Sequence, residues 1–150
     1  MIWEYLLFND CKANRKTLNV VKEAVKKVLA TKTLKKVFRE KNIKNFSFAI
    51  VLVEKTVAKK LNKFWRDKNK IPDILSFPVL ETDQKQKILG DIFLTTDKII
   101  KDSKGDIKLT FQKLIAHGLL HLVGFDHIKD NDYVTMDEIE NKIIQELIKN

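Results

Sequence analysis

The three histidines of the chain, His117, His121 and His127, lie within eleven residues. Residues four apart on a helix lie one above the other on the same face, so His117 and His121 can direct two imidazoles at one point. The third histidine would lie on another face of an unbroken helix. Gly124 precedes it, and glycine adopts the left-handed conformation that ends helices at little steric cost. The spacing therefore predicts a helix, a turn at Gly124 and a three-histidine metal site.

The surroundings of these histidines argue against a simple hydrogen-bonded role in a protein core. From Leu114 to Phe125, every residue except His117 and His121 is apolar or glycine, so we expect a helix that is buried on all sides. Two buried imidazoles need polar partners, and a shared metal ion would satisfy both. Three neutral nitrogen ligands suit one zinc ion (Zn²⁺) per chain and leave a fourth position open, as in catalytic zinc sites.

Gly118 occupies the position at which helical zinc proteases carry the glutamate that serves as general base. The usual peptidase base is therefore absent. A glycine within a helix costs about 1 kcal/mol relative to alanine, so we expect a steric reason for it, such as a strand or substrate that approaches closely. The alternative is a tolerated defect.

Length and composition indicate one domain that spans residues 1–150, because 44% hydrophobic residues are enough for a single core. The single cysteine, Cys11, excludes an internal disulfide framework and favours a reducing compartment. The apolar start is short and interrupted by Glu4, and no later stretch is long enough to cross a bilayer. We therefore expect a cytoplasmic protein without a membrane partner.

The net charge of +9 is concentrated in one part of the chain. Residues 12–44 contain twelve lysines and arginines against Glu23 and Glu40, whereas residues 125–150 contain seven acids against three lysines. A basic segment of this kind attracts polyanions, and nucleic acid is the natural partner. The alternative is that the lysines reflect a biased base composition and only solvate a helix face.

Arg66 is one of only three arginines among 29 basic residues. Its planar guanidinium grips phosphate or carboxylate in a bidentate way that lysine cannot reproduce. We therefore predict a catalytic role for Arg66, in which it neutralises charge that develops on a phosphate. The alternative is a surface ion pair with Asp67 or Asp73.

Hydrophobic periodicity predicts a mixed α+β architecture. Strands are expected at residues 2–8, 46–53, 73–80 and 88–95, and the last two are expected to form a hairpin. Helices are expected at residues 16–40 with a break near 31–33, and at residues 56–65, 96–102, from about 109, and at 130–148.

Four ordered blocks resemble the bacterial YbeY family of rRNA maturation endoribonucleases. They are LNKFWR at residues 61–66, DILSFP at 73–78, LGDI at 89–92 and HGLLHLVGFDH at 117–127. The resemblance implies a single zincin-like domain, with about four strands in a small mixed sheet, about five helices and the metal site on a central helix. It also implies a zinc-dependent endoribonuclease that cleaves single-stranded RNA in 16S rRNA 3′ end processing and ribosome quality control.

Within this resemblance, the three histidines match the metal ligands of the family and Arg66 matches its cleft arginine. Ser76 lies in the LSFP stretch and Asp126 directly precedes His127, so both are expected near the metal. The alternative for Ser76 is a strand hydroxyl bonded to the backbone, and the alternative for Asp126 is a turn or cap residue.

The chain departs from the family before the LSFP stretch, where Pro-Thr-Asp is usual and Ile71, Pro72 and Asp73 stand here. The resemblance implies RNA as partner, in the form of rRNA and the ribosome, with ribosomal proteins or other nucleases as further partners. Two alternative functions remain. The HxxxHxxGxxH spacing is also that of metzincin-like metallopeptidases, and a basic protein with a structural metal could be a non-catalytic ribosome-assembly factor that binds RNA.

Overall fold

The computed structural model describes residues 1–79, 87–126 and 130–150. Its strands are β1 (Ile2–Asn9), β2 (Asn45–Leu52), β3 (Ile74–Pro78) and β4 (Lys87–Leu94). Its helices are α1 (Arg15–Ala30), α2 (Lys32–Glu40), α3 (Lys55–Arg66), α4 (Thr96–Asp102), α5 (Ile107–Leu122) and α6 (Asp130–Lys149). The predicted α+β class, with four strands in one mixed sheet, is confirmed.

The sheet has the strand order β1-β2-β4-β3. β1, β2 and β4 are parallel, whereas β3 is antiparallel to β4. Parallel neighbours need a long crossover, which α1 and α2 supply between β1 and β2. The predicted pairing of the third and fourth strands is confirmed, and most of the turn expected between them lies outside the described residues.

The long helix predicted at residues 16–40 breaks at Thr31, inside the range expected for the break. The hydroxyl of Thr31 donates to the carbonyl of Val28 at 2.7 Å, which closes α1. The carboxylate of Glu146 in α6 then accepts hydrogen bonds from the backbone N–H groups of Lys32 at 2.7 Å and Thr33 at 2.9 Å. It also accepts a hydrogen bond from the Thr33 hydroxyl. The break therefore produces two helices, because a carboxylate from the far end of the chain satisfies the first N–H groups of α2.

The main core lies on one face of the sheet, where side chains from α1, α2, α5 and α6 pack. Alternate residues of β2 point into this core: Phe46, Phe48, Ile50 and Leu52. The opposite face carries a smaller cluster, in which Val51, Val53 and Phe93 pack with Ala58 of α3. Within the described ranges, no helix combines the length and the apolar character needed to cross a membrane.

Candidate metal centre

Helix α5 carries the first two histidines of the motif. Asp106 caps the start of the helix, because its carboxylate accepts a hydrogen bond from the backbone N–H of Lys108 at 2.9 Å. The helix contacts α1, α6, β3 and β4. The burial predicted for residues 114–125 is confirmed only in part, because His117 and His121 are half-buried, as are Leu114 and Phe125, and Gly124 is exposed. The Nε2 atoms of these two imidazoles lie 3.0 Å apart. Helix geometry therefore brings the two rings to one point, as their spacing predicts.

The turn after α5 fixes the orientation of His121. Gly124 has a φ of 100°, a left-handed conformation that favours glycine, so the predicted turn is confirmed. The turn places the carbonyl oxygen of Phe125 2.8 Å from Nδ1 of His121. A carbonyl can only accept, so Nδ1 of a neutral His121 carries the proton and Nε2 carries the lone pair. The ammonium of Lys41 lies 4.7 Å from the centroid of the Phe125 ring and covers the turn from outside.

Glu140 of α6 fixes the orientation of His117 in the same way. Its Oε1 lies 2.5 Å from Nδ1 of His117. An ionised carboxylate accepts a hydrogen bond from Nδ1–H, so a neutral His117 also carries its lone pair on Nε2. The sequence reasoning missed Glu140, because nothing in the spacing of the seven acids of the tail indicates which one reaches α5. Only the packing of α6 on α5 selects it.

The two oriented imidazoles fit a divalent metal ion. Two lone pairs that face each other at 3.0 Å repel unless a cation or a proton lies between them. In a tetrahedral zinc site, metal to nitrogen distances near 2 Å place neighbouring ligand nitrogens about 3.3 Å apart. The described residues contain no group of three ligating side chains, and the third predicted ligand, His127, lies outside them. Asp126, the last described residue before it, is exposed.

Gly118 faces the sheet between the two histidines. A Cβ atom at this position would lie 3.0 Å from the Cδ1 atoms of both Ile74 and Ile92. The isoleucine side chains of strands β3 and β4 therefore pack closely on this position, which agrees with the steric reason expected for the glycine. A glutamate at the position used by helical zinc proteases would meet these two side chains.

A cavity of about 660 Å³ adjoins His117 and Glu140. It is bordered by the end of α3, the segment that leads to β3, and parts of α4, α5 and α6. The basic side chains along it are Arg66, Lys68, Lys70, Lys98 and Lys113. The structure therefore brings Arg66 and His117, predicted from distant parts of the sequence, to one basic cavity.

The alternative interpretation of Arg66 as half of a surface ion pair is not supported among the described residues. Asp67 pairs with Lys63 at 2.6 Å, and Asp73 pairs with Lys98 at 2.6 Å. Lys98 also lies 2.9 Å from Asp102. The hydrogen bonds to Asp73 and Asp102 raise the pKa of Lys98, and its hydrogen bond lowers the pKa of Asp102. The positive charge of Lys98 is thus balanced by two neighbouring carboxylates.

The comparisons with known proteins identify the family. The family model for Endoribonuclease YbeY matches residues 10–148. The chain belongs to the YbeY endoribonuclease family. As a member of the YbeY family, it is a metal-dependent hydrolase, a nuclease of rRNA processing.

Several YbeY endoribonucleases are similar over most of their length. The Sulfurihydrogenibium sp. protein is 34% identical over 149 residues, covering 93% of this chain and 96% of the relative. The Thermodesulfovibrio yellowstonii protein is 34% identical over 143 residues, covering 90% and 89%. The solution structure of TM1509 from Thermotoga maritima matches with a TM-score of 0.56 and 23% identity over 95% of this chain and 88% of that one, which shows the shared fold.

Ser76, expected near the metal, and the basic segment of residues 12–44, expected from its charge to attract nucleic acid, do not border the described cavity. Ser76 is buried in β3 opposite Ile92 and shares a strand face with Ile74, so it faces α5 but does not border the cavity. None of the basic residues between 12 and 44 borders it either. The positive charge at the cavity comes instead from α3, the segment after it, α4 and α5.

Proposed function

We propose that this chain is a zinc-dependent endoribonuclease that cleaves single-stranded RNA, with His117, His121 and His127 as the ligands of one zinc ion. The observation that carries the proposal is the pair of Nε2 atoms 3.0 Å apart, each on a ring whose Nδ1 is held by an acceptor. A zinc ion bound there supplies Lewis acidity toward water and toward a phosphoryl oxygen. The finer role, 16S rRNA 3′ end processing and ribosome quality control with ribosomal proteins or other nucleases as partners, rests on the family resemblance.

The residues of the chain have separate tasks in this proposal. Glu140 and the carbonyl of Phe125 hold the two rings so that both lone pairs point to one place. Arg66 borders the same cavity and neutralises negative charge that develops on a phosphate. Lys68, Lys70 and Lys113 attract the RNA backbone into the cavity.

The proposal is tested by zinc analysis and RNA cleavage with the same preparations. Protein purified without added zinc is expected to contain one zinc ion per chain and to cleave single-stranded RNA. His117→Ala and His121→Ala are expected to lose both, whereas Lys101→Ala, an exposed control on α4, keeps both. Circular dichroism verifies that the variants fold. Undiminished cleavage by a folded, zinc-free His121→Ala variant would refute the assignment, and digestion of a peptide library by the unaltered protein would favour the metallopeptidase alternative.

A further inference from the structure

Two aromatic side chains at the end of α3 face solvent. Phe64 is 78% exposed and Trp65 is 63% exposed, more than any other aromatic side chain that the structure describes. Their ring centroids lie 5.0 Å apart, with the ring planes inclined by 81°. Exposed apolar patches that are rimmed by polar residues mark interaction surfaces.

Trp65 of this pair also contacts the sheet. Trp65 packs edge-on against Phe77 of β3, with ring centroids 5.9 Å apart. Phe77 packs in turn against Phe93 of β4, with ring centroids 5.5 Å apart. Phe93 belongs to the smaller cluster on the face of the sheet opposite the main core. Because these contacts fix Trp65, little conformational freedom would be lost when a ligand stacks on the exposed pair.

The surroundings of the pair are basic. From Lys55 to Lys70 the chain carries seven lysines and arginines and one acid, Asp67, which already pairs with Lys63. A groove of about 480 Å³ runs beside Phe64. It is bordered by Thr56, Lys59, Lys60, Lys63, Phe64 and Asn69. A ligand that suits this surface combines flat rings with negative charge, and single-stranded nucleic acid has both.

The groove and the basic cavity lie on either side of one short stretch of chain. Phe64 borders the groove, and Arg66, two residues later, borders the cavity next to His117. The next segment repeats this division, because Lys68 and Lys70 border the cavity and Asn69 borders the groove. A strand that leaves the cavity over the end of α3 therefore reaches the aromatic pair directly.

We propose that Phe64 and Trp65 form a base-stacking platform, outside the cavity, that binds the single-stranded RNA beyond the cleaved bond. The platform rests on the proposed function, since it extends the same substrate site. Stacking on aromatic rings tolerates any base, because every base has a flat face. The platform therefore contributes substrate length dependence rather than base preference.

The test measures binding of zinc-loaded protein to fluorescently labelled 2′-O-methyl RNA, which isolates binding from cleavage. A strand of about 12 nucleotides covers cavity and platform, whereas one of about 4 nucleotides covers the cavity only. The variant Phe64→Ala/Trp65→Ala is expected to bind the longer strand roughly 5- to 150-fold more weakly and the shorter strand with unchanged affinity. The ring-preserving variant Phe64→Tyr/Trp65→Phe is expected to recover the loss. Phe8→Ala, an exposed aromatic on β1, is the matched control and should bind both strands normally.

A longer strand with abasic sites separates stacking from charge. Removing bases at constant phosphate number should weaken binding by the unaltered protein and leave the affinity of the double alanine variant unchanged. Equal binding of the longer strand by the unaltered protein and the double alanine variant would overturn the platform and leave the proposed nuclease function intact. Failure of the unaltered protein to bind or cleave any RNA would overturn both. If the double alanine variant binds RNA normally but no longer binds phosphatidylglycerol vesicles that the unaltered protein binds, the platform would also be overturned. Phe64 and Trp65 would then be assigned to contact with a membrane surface.

Discussion

Nδ1 of His117 lies 2.5 Å from Oε1 of Glu140, and the two residues belong to neighbouring helices, α5 and α6. The carboxylate is only 20% exposed, so water screens this contact weakly. The contact sets the ring angle of His117 and places its lone pair on the atom that faces His121. Packing of α6 on α5 is therefore coupled to the geometry of the candidate metal centre.

Removing this carboxylate is expected to weaken zinc binding. Glu140→Ala should lower the affinity for zinc roughly 10- to 100-fold, because His117 loses both its orientation and the basicity that a carboxylate partner supplies. Glu140→Gln should lose less, since its amide oxygen still accepts a hydrogen bond from Nδ1–H. Competition with a chelating dye measures the affinity. Glu138→Ala, an exposed glutamate on the same helix, is the control. Unchanged affinity in Glu140→Ala would show that the contact serves only helix packing.

Replacing the cavity arginine is expected to separate metal binding from cleavage. Arg66→Ala should retain its zinc and lose about 100-fold or more in kcat, the usual effect of removing one group that stabilises developing negative charge. Arg66→Lys should recover only part of the rate, because it restores the charge without the planar fork. Arg39→Ala removes the same charge from an exposed site on α2 and should cleave normally. Normal cleavage by Arg66→Ala would make the arginine structural.

The salt dependence of RNA binding is expected to distinguish lysines within the cavity. Each phosphate contact that is lost should reduce the slope of log K against log salt by about 0.7 for a single strand. Lys68→Ala and Lys70→Ala should each show this reduction. Lys98→Ala should not, because Asp73 and Asp102 already neutralise Lys98 at 2.6 and 2.9 Å. Equal slopes for all three variants would indicate that the pairing of Lys98 does not withhold it from RNA.

Introducing the glutamate of helical zinc proteases is expected to damage the fold instead of creating a peptidase. The side chain of Gly118→Glu would meet Ile74 and Ile92, whose Cδ1 atoms lie 3.0 Å from the added Cβ. Burying a carboxyl group there should lower the free energy of unfolding by roughly 2–5 kcal/mol. At Gly105 an added Cβ meets nothing within 4 Å, so Gly105→Glu is the matched control in urea denaturation. Equal stability of the two variants would contradict the packing described for Gly118.

The contact between Glu146 and the start of α2 predicts a pH dependence of stability. Burial raises the pKa of Glu146. Hydrogen bonds from the Thr33 hydroxyl and from the N–H groups of Lys32 and Thr33 together lower it by a larger amount, so the pKa is lowered overall. A glutamate in the unfolded chain has a pKa of about 4.3. Because the pKa is lower in the folded state, Glu146 stabilises the fold at pH values above about 4.3, and this stabilisation is lost as the pH falls through the lower, folded-state pKa. Glu146→Gln should therefore cost about 1 kcal/mol at neutral pH.

Denaturation of the unaltered protein and Glu146→Gln at several pH values measures this difference. The gap between the two should be constant from pH 7 down to about 5 and should narrow as the pH falls below about 4.3. Glu138→Gln on the exposed side of α6 should track the unaltered protein throughout. A gap that stays constant to the lowest pH would show that the charge of Glu146 does not cap α2.

Much of this architecture was predictable because the signals are local. The apolar runs of β1 and β2, the helical spacing of apolar residues in α1 and the polar stretch between β3 and β4 are all patterns of residues a few positions apart. The approximate place of the break between α1 and α2 was also predictable. The carboxylate of Glu146 that satisfies the first N–H groups of α2 was not, because it comes from more than 100 residues away.

The candidate site also has features that the local sequence predicts and features that only the packing decides. The i, i+4 spacing of His117 and His121 and the glycine at position 124 were enough to predict two converging imidazoles and a turn, since one turn of helix and one left-handed residue are decided by the adjacent chain. Only the tertiary structure decided that Glu140 holds His117 and that the side chains of Ile74 and Ile92 pack against Gly118. It also decided that the basic side chains of the cavity come from α3, the segment after it, α4 and α5, instead of α1 and α2. These relationships join residues far apart in the chain, and the packing of helices on a sheet, not their spacing in sequence, brings them within contact distance.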